Sequence, residues 1–191
     1  MPHWWIKINF ENTPMSWLQS TILSICAFLL LFNTLLLCQN KDDTCKKNIL
    51  LNALTCCAFT LLSLDDAFQI HERIRGGLLQ PNHIGSSLPF ISDGDIVLPL
   101  YAFFGAFLAY LFLKSITANK KASLLFKLAF LASLCAVAID TIEVVPKSDI
   151  SSFRVIQFTE EILELCAQSL FLASFADLTF CKASDKNVCS H

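Results

Sequence analysis

Charge is what this sequence has least of. Only 16% of its 191 residues are charged, against about 25% in ordinary soluble domains. From Asn12 to Asn40 there is no Asp, Glu, Lys or Arg, a run of 29 residues. Glycine and proline are also scarce, with 5 and 6 copies, which excludes a low-complexity or disordered chain. A formal charge of −2 leaves no basic footprint, so nucleic acid is not an expected partner. The nine cysteines form no C-x-x-C pair, which argues against a zinc ribbon or a thioredoxin-like redox site. No Gly-rich phosphate loop, nucleophile elbow or H-E-x-x-H helix occurs, so the common nucleotide, serine-hydrolase and zincin signatures are missing. No internal repeat at a fixed period is visible.

What is present is apolar length. More than half of the residues are hydrophobic, 17 of them Phe. A helix needs about 20 mainly apolar residues to cross a hydrocarbon core about 30 Å thick. The pattern predicts an all-α, polytopic membrane helix bundle with five transmembrane helices, at about 16–38, 49–71, 94–115, 122–143 and 158–180. The fourth and fifth hold uncharged runs of only 12 residues. The whole chain reads as one integral-membrane domain, with residues 182–191 as a short tail. The first span is too long for a signal-peptide core and lacks a small-residue cleavage site, so it is expected to remain as an anchor.

Orientation follows the Lys and Arg near the span ends. Nine of them (Lys41, Lys46, Lys47, Lys114, Lys120, Lys121, Lys127, Lys182 and Lys186) fall on one side, and five (Lys7, Arg73, Arg75, Lys147 and Arg154) on the other. This predicts the N-terminus outside and the C-terminus in the cytoplasm of a bacterial inner membrane or its equivalent. Trp4, Trp5 and Trp17 then lie near the outer interface, where amphipathic rings prefer to sit. The cysteines fall within spans or on the reducing side, so they read as small hydrophobes rather than disulfide partners.

In this topology most acids gather at the outer, non-cytoplasmic end. The second span closes with Asp65, Asp66, Gln69, His71 and Glu72. The third opens with Asp93 and Asp95, the fourth ends with Asp140 and Glu143, and the fifth opens with Glu160, Glu161 and Glu164, followed by Gln168. Asp65 and Glu164 should lie roughly 9 Å inside their span ends at 1.5 Å per residue. Charges at such depth normally face a bundle interior or a water-filled cavity. At 100° per residue, Asp65, Gln69 and Glu72 share an arc of about 60°, and Asp140 and Glu143 share a face. Ser133 and Ala136 continue that face inward, and such small residues permit close helix packing. His71 lies about 120° from Asp65 on a regular helix, so it joins the others only if the helix unwinds.

Carboxylates in one low-dielectric pocket need a cation, shared protons or basic neighbours. Asp65, Asp66, His71, Asp140, Glu143 and Glu164 are the candidate ligands of a divalent metal; oxygen donors with few imidazoles suit Mn, Fe, Mg or Ca, with Zn as a further option. The combination of Asp66, His71, Glu72, Asp140, Glu143, Glu161 and Glu164 resembles the carboxylate-bridged dimetal sites of helix bundles. It departs from them because Asp140-x-x-Glu143 and Glu161-x-x-Glu164 lack the histidine of the usual Glu-x-x-His pairs. The leading functional expectation is a metal-assisted protein acting on a lipid or other amphiphile. Glu72 and Glu161 are its candidate catalytic acids or bases, and Arg73 and Arg75 would hold a headgroup phosphate. A cation or proton transporter, or a bundle locked by acids without catalysis, are the alternatives. A transporter would need polar groups through the other half of the membrane, where Asn33, Lys127, Ser174 and Asp177 are the main ones.

Overall fold

A computed structural model describes residues 14–39, 43–82, 96–141 and 150–188. The elements are α1 (Pro14–Cys38), α2 (Asp43–Phe68), the short α3 (Ile70–Ile74), α4 (Val97–Ser115), α5 (Lys120–Thr141) and α6 (Ile150–Val188). A π turn (Arg75–Leu79) and a 3-10 turn (Gln80–Asn82) follow α3. Among the described residues there is no strand.

Local chemistry places the helix ends. Pro14 opens α1, where its missing N–H would have had no partner in any case. Pro99 lies in the first turn of α4 and is tolerated for the same reason. Asn119 caps α5, its Oδ1 accepting the Ala122 N–H at 3.0 Å. Four stretches are long and apolar enough to cross a membrane: Pro14–Cys38, Lys46–Phe68, Lys120–Ile139 and Phe158–Ser184. The two with the shortest uncharged runs are among them. The apolar part of α4, Pro99–Ser115, is shorter.

Polarity is inverted relative to a water-soluble bundle. Phe28, Phe103, Phe104, Phe107 and Phe180 are each more than 60% exposed, while Gln19, Asn33, Asn52, Thr55 and Ser174 are buried. An apolar exterior this continuous would drive aggregation in water and suits a lipid environment. Polar contacts inside set helix direction. Ser20 Oγ donates to the Ser63 carbonyl at 3.0 Å, and Cys56 Sγ to that of Ala27 at 3.2 Å, so α1 and α2 run antiparallel. Gln19 reaches Glu161 and Glu164 while Asn33 Nδ2 donates to Thr179 Oγ1, so α1 and α6 run parallel. Asn119 Nδ2, at the start of α5, donates to Asp177 Oδ2 at 2.9 Å, and Ser174 Oγ donates to the Ala122 carbonyl at 2.9 Å, so α5 and α6 run antiparallel.

Buried Ala122, Ala129 and Ala136 form a stripe along α5, and small side chains there let α6 approach closely. At mid-height sits an aromatic core drawn from four helices. Phe59 of α2, Phe112 of α4, Phe126 of α5, and Phe171 and Phe175 of α6 contact one another at ring-centroid distances of 5.0–6.1 Å. Most pairs are edge-on or tilted, as ring quadrupoles prefer.

Candidate functional site

The second helix ends earlier than its hydrophobic pattern implies. Gln69 adopts φ 52° and ψ 47°, the one positive-φ residue other than glycine among those described. This left-handed conformation costs a non-glycine residue about 1–2 kcal/mol. It breaks the helix between Phe68 and Ile70 and starts α3 in a new direction. The unwinding that His71 needs to meet the acids is therefore present, and Gln69 is where it happens.

His71 turns back onto α2. Its backbone N–H donates to Asp65 Oδ1 at 2.8 Å, and its Nδ1 lies 2.7 Å from Asp65 Oδ2. Both carboxylate oxygens thus hold one residue. Asp65 is only 7% exposed. With the Asp65 carboxylate as acceptor the imidazole hydrogen of this pairing stands on Nδ1, and Nε2 lies on the ring edge away from Asp65. The same orientation device serves acid–base histidines and metal-ligating ones.

A cavity of about 260 Å³ opens beside this pair, walled by α2, α4, α5 and α6. Its polar end carries Asp65, Asp66, His71, Tyr101, Glu164 and Gln168. Its depth is apolar, floored by Phe59, Phe112, Phe126 and Phe171 of the aromatic core. Ala136 and Ala167 keep the wall small where α5 meets α6. Leu62, Tyr101, Gly105 and Leu134 line the cavity and are also exposed, so its open side is bordered by α2, α4 and α5.

The candidate residues separate in space. Asp65, Asp66, His71 and Glu164 share the cavity. Glu161 is turned toward α1, where Gln19 Nε2 lies 3.2 Å from its Oε2 and 3.2 Å from Glu164 Oε2. Gln19 thereby bridges two acids of α6 that stand one turn apart. Glu72 and Arg75 are half-buried on the segment after the break and Arg73 is exposed; none of the three lines the cavity. Glu143 lies outside the described residues, and of Asp140 only the backbone position, in the last turn of α5, is described. Among the described residues no group of three or more His, Cys, Asp or Glu side chains is placed to hold a metal ion.

Residues 5–178 match the profile of a family described as a domain of unknown function (DUF8692). This chain belongs to the DUF8692 family. No curated protein and no solved structure matches it. The family match covers the bundle and both walls of the cavity but brings no activity with it.

Two contributors to the site carry no strong sequence signal. Gln19 sits in the long uncharged run and has no acidic or basic neighbour to mark it. Tyr101 looks like any interfacial aromatic. The cavity floor had one hint, the i,i+4 pair Phe171 and Phe175, but a phenylalanine pair at that spacing usually marks core.

Proposed function

We propose that this DUF8692 protein is a membrane protein that binds one amphiphile and acts on its polar head. The observation that carries this reading is the cavity itself, apolar and aromatic in its depth and ionisable at one end. At about 260 Å³ it stands near the lower end of ligand pockets, which begin at about 300 Å³. That size suits one apolar chain with a small head rather than a two-chain lipid. The exposed lining residues sit on an apolar exterior, and Phe103, Phe104 and Phe107 keep the remaining faces of α4 apolar and exposed as well, so entry from the lipid phase is the direct route. We read α4 as the fifth crossing. Its 19 residues span about 28 Å at 1.5 Å per residue. We take the acidic end as non-cytoplasmic, on the Lys and Arg balance.

In this reading His71 takes or gives a proton at the headgroup through Nε2, and Asp65 fixes its tautomer and direction. Asp66 and Glu164 face the same space and orient the head. Glu161 belongs with Gln19 in the packing of α1 on α6. A divalent cation at the same mouth is a second reading, favoured by one observation: a carboxylate-backed histidine is the usual arrangement behind a metal ligand.

The test uses Gly105, which lines the cavity at its opening and where an added Cβ meets nothing within 4 Å. Gly105→Phe should fill the entrance without displacing backbone. Lipid extracts incubated with parent, Gly105→Phe and His71→Ala protein are compared by mass spectrometry. The parent should bind and alter one class of single-chain amphiphile. Gly105→Phe should do neither, and His71→Ala should bind without altering. Equal uptake by the plugged variant would sink the cavity reading. Elemental analysis of the same parent sample decides the metal reading.

A further inference from the structure

The proposed amphiphile site has a chemical bias in its lining, and the bias points to the kind of headgroup it takes. Three carboxylates, of Asp65, Asp66 and Glu164, line the cavity, and among the described residues no Lys or Arg does. Two oxygen acceptors in that lining are also buried without a hydrogen-bond partner among the described residues: Oδ2 of Asp66 on α2 and Oε1 of Gln168 on α6. Gln168 is only 8% exposed. Buried acceptors are nearly always satisfied, since leaving one unpaired forfeits the hydrogen bond it made with water. Here two stand on different helices and line one space. A ligand that donates hydrogen bonds would satisfy both.

We infer that the cavity takes a cationic single-chain amphiphile, an alkyl primary amine or a close relative, whose N–H groups are received by Asp66 and Gln168. The inference rests on the amphiphile reading and specifies its head. An ammonium group carries three donors and no acceptor, which matches two orphaned oxygens and a third acceptor from Glu164. A phosphate or carboxylate head is the mismatch. It brings acceptors to acceptors, and it sets negative charge in a low-dielectric space lined by three acids, of which Asp65 is paired with His71. The distribution of arginines agrees. Arg73 is exposed and neither Arg73 nor Arg75 is in the cavity lining, so the two arginines expected to hold a headgroup phosphate do not border this space. The apolar depth fixes the other end of the ligand: Phe59, Phe126 and Phe171 line it, and the hydroxyl hydrogens of Thr55 and Ser133 are donated to the Leu51 and Ala129 carbonyls.

The test uses three probes of equal chain length with a mid-chain diazirine and an amine, a carboxylate or a phosphate monoester at the head. Full-length protein in nanodiscs is irradiated over a range of probe concentrations, with unlabelled competitor, and the labelled peptides are mapped by mass spectrometry. The amine probe should label the segments around Phe130 and Phe171, half-saturating at a concentration about tenfold or more below that of the phosphate probe, the size expected for a charged hydrogen bond made or lost. Asp66→Asn and Gln168→Leu should each raise the amine half-point about tenfold and leave the carboxylate probe unchanged or improved. Gln168→Glu should lower the amine half-point, a gain that misfolding cannot produce. Equal half-points for the three heads, or preference for the phosphate, would overturn the amine inference and leave the cavity reading standing. Absence of competable labelling in the cavity segments by any probe would overturn both.

Discussion

Replacing Asp65 should uncouple His71 from the bundle by an amount that the two hydrogen bonds at 2.8 and 2.7 Å set. Asp65→Ala removes both acceptors. The charge-assisted bond to the imidazole contributes about 1.5–3 kcal/mol and the bond to the backbone N–H about 1 kcal/mol. A cost of about 3 kcal/mol is therefore expected, partly offset if water reaches the half-buried ring. Asp65→Asn retains an acceptor for the backbone N–H and exchanges a charged bond for a neutral one, at about half the strength, so about 1 kcal/mol is expected. For a chain of this length each kcal/mol moves the melting temperature by about 2–4 °C. Asp65→Ala should thus melt about 6–12 °C below the parent in detergent and Asp65→Asn about 2–4 °C below it. A second readout is specific to the pairing. In ¹⁵N spectra of histidine-labelled protein, the parent His71 should carry hydrogen on Nδ1, and Asp65→Asn should admit the Nε2–H tautomer because the amide can donate to Nδ1. An Asp65→Ala protein that melts with the parent, or a His71 tautomer indifferent to Asp65→Asn, would refute the argument that this carboxylate positions the ring.

Four further outcomes are expected. Gln69→Gly should melt at or slightly above the parent, since relief of about 1–2 kcal/mol of left-handed strain outweighs the added unfolded-chain freedom of about 0.5–1 kcal/mol; Gln69→Val, β-branched at the same φ, should melt several degrees lower, and a Val variant equal to the parent would remove the strain argument. Phe171→Ala should cost about 3 kcal/mol, the low end of the range for buried aromatics because one side already borders the cavity, and should weaken uptake of single-chain amphiphiles in the same titration. Gly105→Phe should leave the melting temperature unchanged or raised, as glycine disfavours a helix interior by about 1 kcal/mol, while abolishing uptake; a large drop in melting would show the position to be packed. Cysteines placed near Asn82 and Asp149 should react with an impermeant reagent from outside and those near Asp43 and Lys120 should not, with the reverse pattern overturning the orientation.

Composition and run length alone fixed the class of this protein. A charge-free stretch of 29 residues has few soluble uses, because a helix in water needs a charged, solvated face and this one has none. The helical periodicity also indicated that Asp65 on one segment and Glu164 on another lie deep enough to need an interior to face. Which interior they face depended on tertiary structure. The angular position of His71 on a regular helix points it away from Asp65, and a single backbone torsion at Gln69 reverses that; no side-chain pattern encodes the sign of φ at a glutamine. The bridge that ties Glu161 and Glu164 to α1 likewise came from a partner far along the chain, Gln19, 142 residues before Glu161. Charge alone paired the acids with Arg73 and Arg75, which the turn after Gln69 carries away from the cavity. The cavity itself is a property of four packed helices, formed where large rings from each meet and small alanines leave room beside them, and packing of that kind is decided by shape in three dimensions rather than by the order of residues in one.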